Sequence, residues 1–370
     1  MSFRFWRRVR IAPGVTLNLS KRGASISAGP QGAKLTAGTS GARATAGIPG
    51  SGLFYTKKLG GSRRRGRGGG GGRGRRREPT RAEQEAAAAE RLDLGFFERL
   101  VTPKREEWFV DAARALVMGD ADAAYRHASK ATQGADAAWI AGSVALDRQD
   151  HARAREHFDE AWRRRASLGR MFAKHGVSAV LDLAVTGSVR ARVEPDERGL
   201  LLVRAELAQA AGDEATALRL VRALHERTPE DPVIRLSLAE LLVGELVTPM
   251  AADPRHPLRI RLDARRRAAC EEAVALAADV ENDSELHAAL LYHGAIGLAA
   301  LGLHVAARDR LTAVLRRRKD RSEALLREAR FLRALVYEAL GRTRQARTDL
   351  ERIYAEAPRF PGVAGRLGLR

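Results

Sequence analysis

Residues 334–358, ALVYEALGRTRQARTDLERIYAEAP, decide how this chain folds. Ala334 and Tyr337 precede Gly341, while Ala346, Leu350 and Ile353 follow it and Pro358 closes the stretch. These three- and four-residue steps give two helices, each with one apolar stripe, joined at a glycine turn. Small residues let the helices approach closely, a left-handed glycine ends the first, and proline cannot continue the second. Four earlier stretches keep the same spacing. They run Trp108, Ala112, Ala115, Gly119-Asp120, Ala124, Ala128, Ala131; then Gly142, Ala145, Gln149-Asp150, Ala154, Phe158, Ala161. The third is Leu201, Ala205, Ala208, Gly212-Asp213, Ala217, Val221, Leu224, Pro229, and the fourth Leu291, Ala295, Leu298, Gly302, Ala307, Leu311, Val314.

A unit of about 34 residues built in this way resembles the tetratricopeptide repeat. The resemblance implies an α-solenoid of stacked helix pairs whose groove holds a protein or peptide segment. Trp108, Ala112, Gly119, Ala124, Phe158, Gly212, Ala217, Gly302, Ala307, Tyr337, Gly341, Ala346 and Pro358 are then packing residues with a structural role.

Two stretches interrupt the count. Leu181, Leu183 and Val185, then Thr186-Gly187-Ser188, then Val189, Ala191 and Val193 alternate as a β-hairpin should, so an insertion is expected near 180–195, ended by Pro195. The segment TPMAADPRHP, 248–257, reads as a long loop inside a sixth, divergent pair with helices over Val233–Leu246 and Arg261–Ala278. The helical region is expected over 80–370. It opens at Thr80, whose spacing to Glu83 is that of a capping box, and restarts at Thr102 with Pro103 in the first helical position.

Upstream the composition changes. Residues 61–77, GSRRRGRGGGGGRGRRR, carry eight arginines and no side chain that could enter a core, so 61–79 reads as a disordered Arg/Gly linker. Arg63, Arg64, Arg65, Arg67, Arg73, Arg75, Arg76 and Arg77 are candidate polyanion contacts, acting through charge and counterion release on nucleic acid or an anionic membrane surface. No aromatic lies between Gly60 and Phe96 to stack on bases, which favours a plain linker.

Before the linker, glycines recur every nine residues at Gly14, Gly23, Gly32, Gly41 and Gly50, with about six residues of strand per unit. Val15, Leu17 and Leu19, then Ala24, Ile26 and Ala28, alternate with Thr16, Asn18, Ser25 and Ser27. A small antiparallel β-meander domain over 1–60 follows, with Phe3, Phe5, Val9 and Ile11 folding over its thin apolar face. The same repeat admits a small β-solenoid, which its low repeat number disfavours. With mostly alanine inside, such a domain gains from self-association or docking. Phe3-Arg4-Phe5, Ala12-Pro13-Gly14-Val15, Leu17-Asn18-Leu19-Ser20-Lys21 and Gly47-Ile48-Pro49-Gly50-Ser51-Gly52-Leu53-Phe54-Tyr55-Thr56 together resemble the bacterial family called domain of unknown function 4236. That family implies a boundary near Leu59 and a bacterial source, and brings no activity.

The net charge of +20 over 370 residues is uneven: residues 1–82 hold +18 of it and the remainder +2. The single cysteine, Cys270, excludes an internal disulfide and suits a reducing compartment. No run of 18 apolar residues occurs, so a cytoplasmic protein is expected, at most peripheral at the inner face of the membrane. The glycine spacings lack the strand-loop-helix setting and the Gly-Lys-Ser/Thr ending of a phosphate loop. His287 and His293 are six apart, on different faces of a helix. The carboxylates Glu271, Glu272, Asp279 and Glu281 read as solvated helix surface. The runs Arg163–Arg165, Arg265–Arg267 and Arg316–Lys319 sit late in or near second helices; they could line a basic groove for an acidic partner, but helix C-termini favour cations anyway, and that plainer reading is preferred. No catalytic residue, cofactor or metal is expected. The sequence reads as a non-enzymatic scaffold with a protein or peptide in its helical groove and a basic N-terminal module that anchors or oligomerises. The rival reading is an adaptor that holds nucleic acid or anionic lipid through that arm.

Overall fold

The computed structural model describes residues 101–131, 133–252 and 258–369, with Leu92, Leu94 and Arg99 and the backbone of six strands between residues 4 and 59. The 61–79 linker and the helix expected from Thr80 lie outside the described residues. The chain divides into two compact units, Met1–Leu183 with Arg192–Ala211 and Ala184–Ala191 with Gly212–Arg370.

In the first unit, helices α1 (Lys104–Met118), α2 (Ala121–Lys130), α3 (Ala135–Asp147) and α4 (His151–Arg163) pack in succession. Helix α1 starts one residue later than the sequence implies, because Pro103 itself is the cap: its carbonyl accepts from the Glu106 and Glu107 amides at 2.8 and 3.0 Å. Between α1 and α2, Gly119 takes φ 86° and Asp120 accepts from the Ala123 amide at 2.8 Å. Between α3 and α4 a glutamine stands in the glycine's place, Gln149 at φ 62°, while Asp150 accepts from the Arg153 amide at 3.1 Å. A left-handed residue followed by an aspartate cap thus ends one helix and starts the next within three residues.

Helix α3 is buried from Ala135 to Leu146. Trp139, fully buried, meets the Phe158 ring of α4 edge-on at 5.4 Å. Its indole N–H donates to the Ala179 carbonyl at 2.8 Å, which fixes the strand β7 (Val177–Ala184) against α3. The short helix α5 (Arg170–Lys174) leads into that strand. Asp136 of α3 accepts from the Gly169, Met171 and Phe172 amides at 2.5, 2.6 and 3.0 Å. Burial raises the pKa of this carboxyl, and the three amides oppose the rise.

β7 belongs to a sheet with β8 (Arg190–Val193) and the six N-terminal strands: β1 (Arg4–Ala12), β2 (Val15–Ser20), β3 (Gly23–Ala28), β4 (Ala33–Gly38), β5 (Gly41–Gly47) and β6 (Phe54–Leu59). Its order is β6-β5-β4-β3-β2-β1-β7-β8. The leading strand therefore stands in the sheet rather than over it, antiparallel to β2 on one side and to β7 on the other, from Arg4 opposite Asp182 to Val9 opposite Val177. Helix α6 (Glu197–Ala210) completes the unit, packing on α4 through Arg204 to Asp159 at 2.9 Å and Arg155 to the Leu207 carbonyl at 2.9 Å.

The second unit contains α7 (Glu214–Arg227), α8 (Pro232–Val243), α9 (Val247–Ala251), α10 (Ala264–Leu276), α11 (Glu285–Ala300), α12 (His304–Arg316), α13 (Glu323–Ala339), α14 (Thr343–Glu356) and α15 (Val363–Arg366). The sixth pair is α8 with α10, both shorter than expected. Gly244 ends α8, and Asp263, accepting from the Arg266 amide at 2.7 Å, starts α10. The start of the 248–257 stretch is helical, in α9, and 253–257 lie outside the described residues. Helix α11 is buried from Ala288 to Ala299, with α8, α10 and α12 packed on it. The approach to α10 depends on Gly297: a methyl group there would stand 2.8 Å from the Cys270 carbonyl oxygen, backbone that cannot move aside.

Candidate interaction surface at the last repeat

The eight arginines from Arg63 to Arg77 lie outside the described residues. Of the packing residues, Ala112, Ala124, Phe158, Ala217 and Ala307 are fully buried and Ala346 nearly so. Gly119, Gly212, Gly302 and Gly341 hold turns at φ 86°, 77°, 80° and 72°. Trp108 and Tyr337 are half-buried and Pro358 is exposed. The anchoring indole is Trp139, which the spacing did not single out; the uncharged run from Ala137 to Leu146 is the signal that marks a helix buried on every side. His293 is also buried. Its Nδ1–H donates to the Ala289 carbonyl at 2.8 Å, and burial pushes its pKa down to about 4.

The basic runs divide. Arg163–Arg165 and Arg316–Lys319 follow the ends of α4 and α12, as expected. Arg265–Arg267 do not: they form the first turn of α10, where the helix dipole opposes cations. Asp263, one residue ahead of the helix, supplies the negative charge that this turn favours.

Helix α13 carries the charged surface. Leu325, Ala329, Leu332 and Val336 form its fully buried stripe. Arg333 makes two parallel hydrogen bonds to Asp349 of α14, both 2.8 Å. Burial lowers the pKa of Arg333, and the Asp349 bonds outweigh it to give a net rise. Arg330, almost fully buried, pairs with Glu356 at 3.1 Å.

A second row on α13 runs through Ala324, Glu328, Phe331 and Glu338, three to seven residues apart and so on one side of the helix. The chain's own segments cover it. Ser188, in the turn after β7, lies near the Glu328 carboxyl, whose pKa burial raises against the pull of Ser188 and Arg327. The turn is held by Val185 N–H to the Val189 carbonyl at 3.0 Å and by Thr186 Oγ1, which accepts from the Val189 amide at 3.0 Å. Phe360 meets Phe331 with ring centroids 5.3 Å apart. Arg366 of α15 pairs with Glu338 and donates to the Ala251 carbonyl at 2.8 Å.

Between these coverings lies an open pocket of about 490 Å3, lined by Ala324, Arg327, Glu328, Ala357, Pro358, Arg359 and Phe360. Its walls are mostly apolar, with two guanidinium groups at hand. Among the described residues no group of three or more His, Cys, Asp or Glu side chains is placed to hold a metal ion. No helix among them is long and apolar enough to cross a membrane.

Residues 3–56 match the family described as protein of unknown function (DUF4236). No curated protein matches the chain. Among solved structures, the chain is similar to the N-terminal domain of the EccA1 ATPase from the ESX-1 secretion system of Mycobacterium tuberculosis, with a TM-score of 0.50 and 16% identity over 72% of this chain and 88% of that one. It is also similar to TTC0263, a thermophilic TPR protein in Thermus thermophilus, with a TM-score of 0.38 and 18% identity over 64% of this chain and 97% of that one. The likeness is one of fold: an array of paired helices.

Proposed function

We propose that the protein is a non-enzymatic scaffold whose helical array binds a protein segment, and that its basic N-terminal module anchors it or joins copies of it. The recurrence of one helix pair supports this reading. Each pair buries one stripe and leaves another to form an extended surface, which suits capture of a chain better than it suits a reaction centre. Cross-linking of the full chain to proteins of a cell extract, with mass-spectrometric mapping, tests it. Links from foreign proteins should concentrate on α1–α4 and α7–α14. Foreign links spread without preference, or none, defeat the scaffold.

The charge of +18 on residues 1–82 favours a second reading, an adaptor in which this arm holds nucleic acid or anionic lipid and the array recruits a protein. Retention of the full chain on single-stranded RNA, duplex DNA or anionic vesicles that falls steeply with salt supports the adaptor. A molecular size that rises with concentration supports self-association through the module instead.

A further inference from the structure

The three arginines of α13 differ in what they meet. Arg330 and Arg333 are held by Glu356 and Asp349, and the neighbouring Arg366 by Glu338. Arg327, on the same helix, makes no hydrogen bond or ion pair with any described residue, and neither does Arg359, across the pocket on the segment that follows α14. Both line the pocket whose remaining walls are Ala324, Ala357, Pro358 and Phe360. The one carboxylate there, Glu328, is half-buried beside Arg327 on the helix, and burial raises its pKa. Two guanidinium groups without a hydrogen bond or ion pair to a described residue, beside an apolar hollow with a single half-buried acid, make a surface complementary to a carboxylate next to an apolar side chain.

We propose that this pocket binds a short acidic protein segment, seating one apolar side chain against Phe360 and Pro358 and pairing flanking Asp or Glu carboxylates with Arg327 and Arg359. The proposal rests on the scaffold reading and names the chemistry of its partner. The volume of about 490 Å3 holds a leucine or phenylalanine side chain with its backbone. Exposed ion pairs are individually weak, so the apolar contact supplies most of the affinity and the arginines supply the choice of partner.

The test uses the full chain and fluorescein-labelled 12-residue peptides in a polarisation titration. One peptide places a central Leu between two Glu on each side; a second replaces the Glu by Lys; a third replaces the Leu by Ser. The first should bind, and the second and third should bind at least about tenfold more weakly. The double substitution Arg327→Glu with Arg359→Glu should lose the first peptide and gain the lysine peptide, an inversion that a misfolded variant would not produce. Ala324→Trp, which fills the hollow, should abolish binding while the circular dichroism spectrum is kept.

Equal binding of all three peptides, no binding, or insensitivity to the arginine reversal overturns the proposal. So does displacement of the acidic peptide by an oligonucleotide in competition with wild type but not with the reversal variant, which would give the arginines to phosphate. If the peptides fail while mapped cross-links from foreign proteins persist unchanged in the reversal variant, the scaffold stands and this site is wrong. If both fail, the scaffold reading falls as well.

Discussion

Helix α3 in the first unit and α11 in the second are each surrounded on all sides, but α3 meets its neighbours through a large ring and α11 through missing side chains. Trp139 of α3 reaches the Phe158 ring and the Ala179 carbonyl. Gly294 and Gly297 of α11 leave room for the Ala277 methyl and the Cys270 carbonyl. The same requirement, a helix with no face left for water, is met by volume in one place and by close approach in the other. The two should fail in opposite ways: α3 by cavity, α11 by overpacking.

The largest effect is expected at Trp139. Trp139→Ala should cost about 3–5 kcal/mol in urea unfolding followed by circular dichroism, because it removes a fully buried ring and its hydrogen bond. Trp139→Phe keeps a ring near Phe158 and should recover a good part of that; if it does not, the bond to Ala179 outweighs the packing. Next comes the histidine of α11. His293 is held near pKa 4 in the fold against an ordinary 6.5, so the unfolded chain binds the extra proton between these values. Stability is full above pH 6.5 and falls as pH drops towards 4, by up to about 3 kcal/mol. His293→Gln should flatten that part of the pH profile relative to the parent, and an unchanged slope would show that the imidazole is solvated.

Gly297→Ala should cost about 1–3 kcal/mol, as the added methyl forces α10 and α11 apart. The same substitution at Gly142, where the obstacle is the Phe158 ring rather than backbone, should cost less. Equal losses would erase the distinction between the two helices. The smallest effect belongs to the turns. Asp150→Ala and Asp213→Ala each remove a cap and should cost about 1 kcal/mol. Arg342→Asp, at a turn that lacks a capping side chain, should return a similar amount.

Much of the array was legible because its signals are local. Ala-x3-Leu steps, Gly-Asp turns and Pro358 act within one or two helical turns, and the helices begin and end within a few residues of where they say. The alternation around Thr186-Gly187-Ser188 likewise gave the hairpin its place. The pocket was not legible, since Ala324 and Phe360, far apart in sequence, come to line one hollow only after α13 and α14 have paired. Local pattern also misled at Arg265–Arg267. The helix read over Arg261–Ala278 already placed this run in its first half, where the C-terminal account of cations does not apply, and Asp263 caps the helix just before it. Trp139 escaped notice because its four-residue steps hold alanine and serine, while its partner Ala179 is 40 residues away.

The carboxylate of Asp136 also has a consequence for the order of folding. It closes a segment of 33 residues that contains the whole of α4, and the amides it holds begin α5, the helix that leads into β7. Contacts within α3 and α4 are near in sequence and form early, whereas β7 gains its footing only once Asp136 is in place. Hydrogen exchange at the Met171 and Phe172 amides should therefore report the opening of α3, and slow with it, although the five-residue helix around them would fray at once if left to itself.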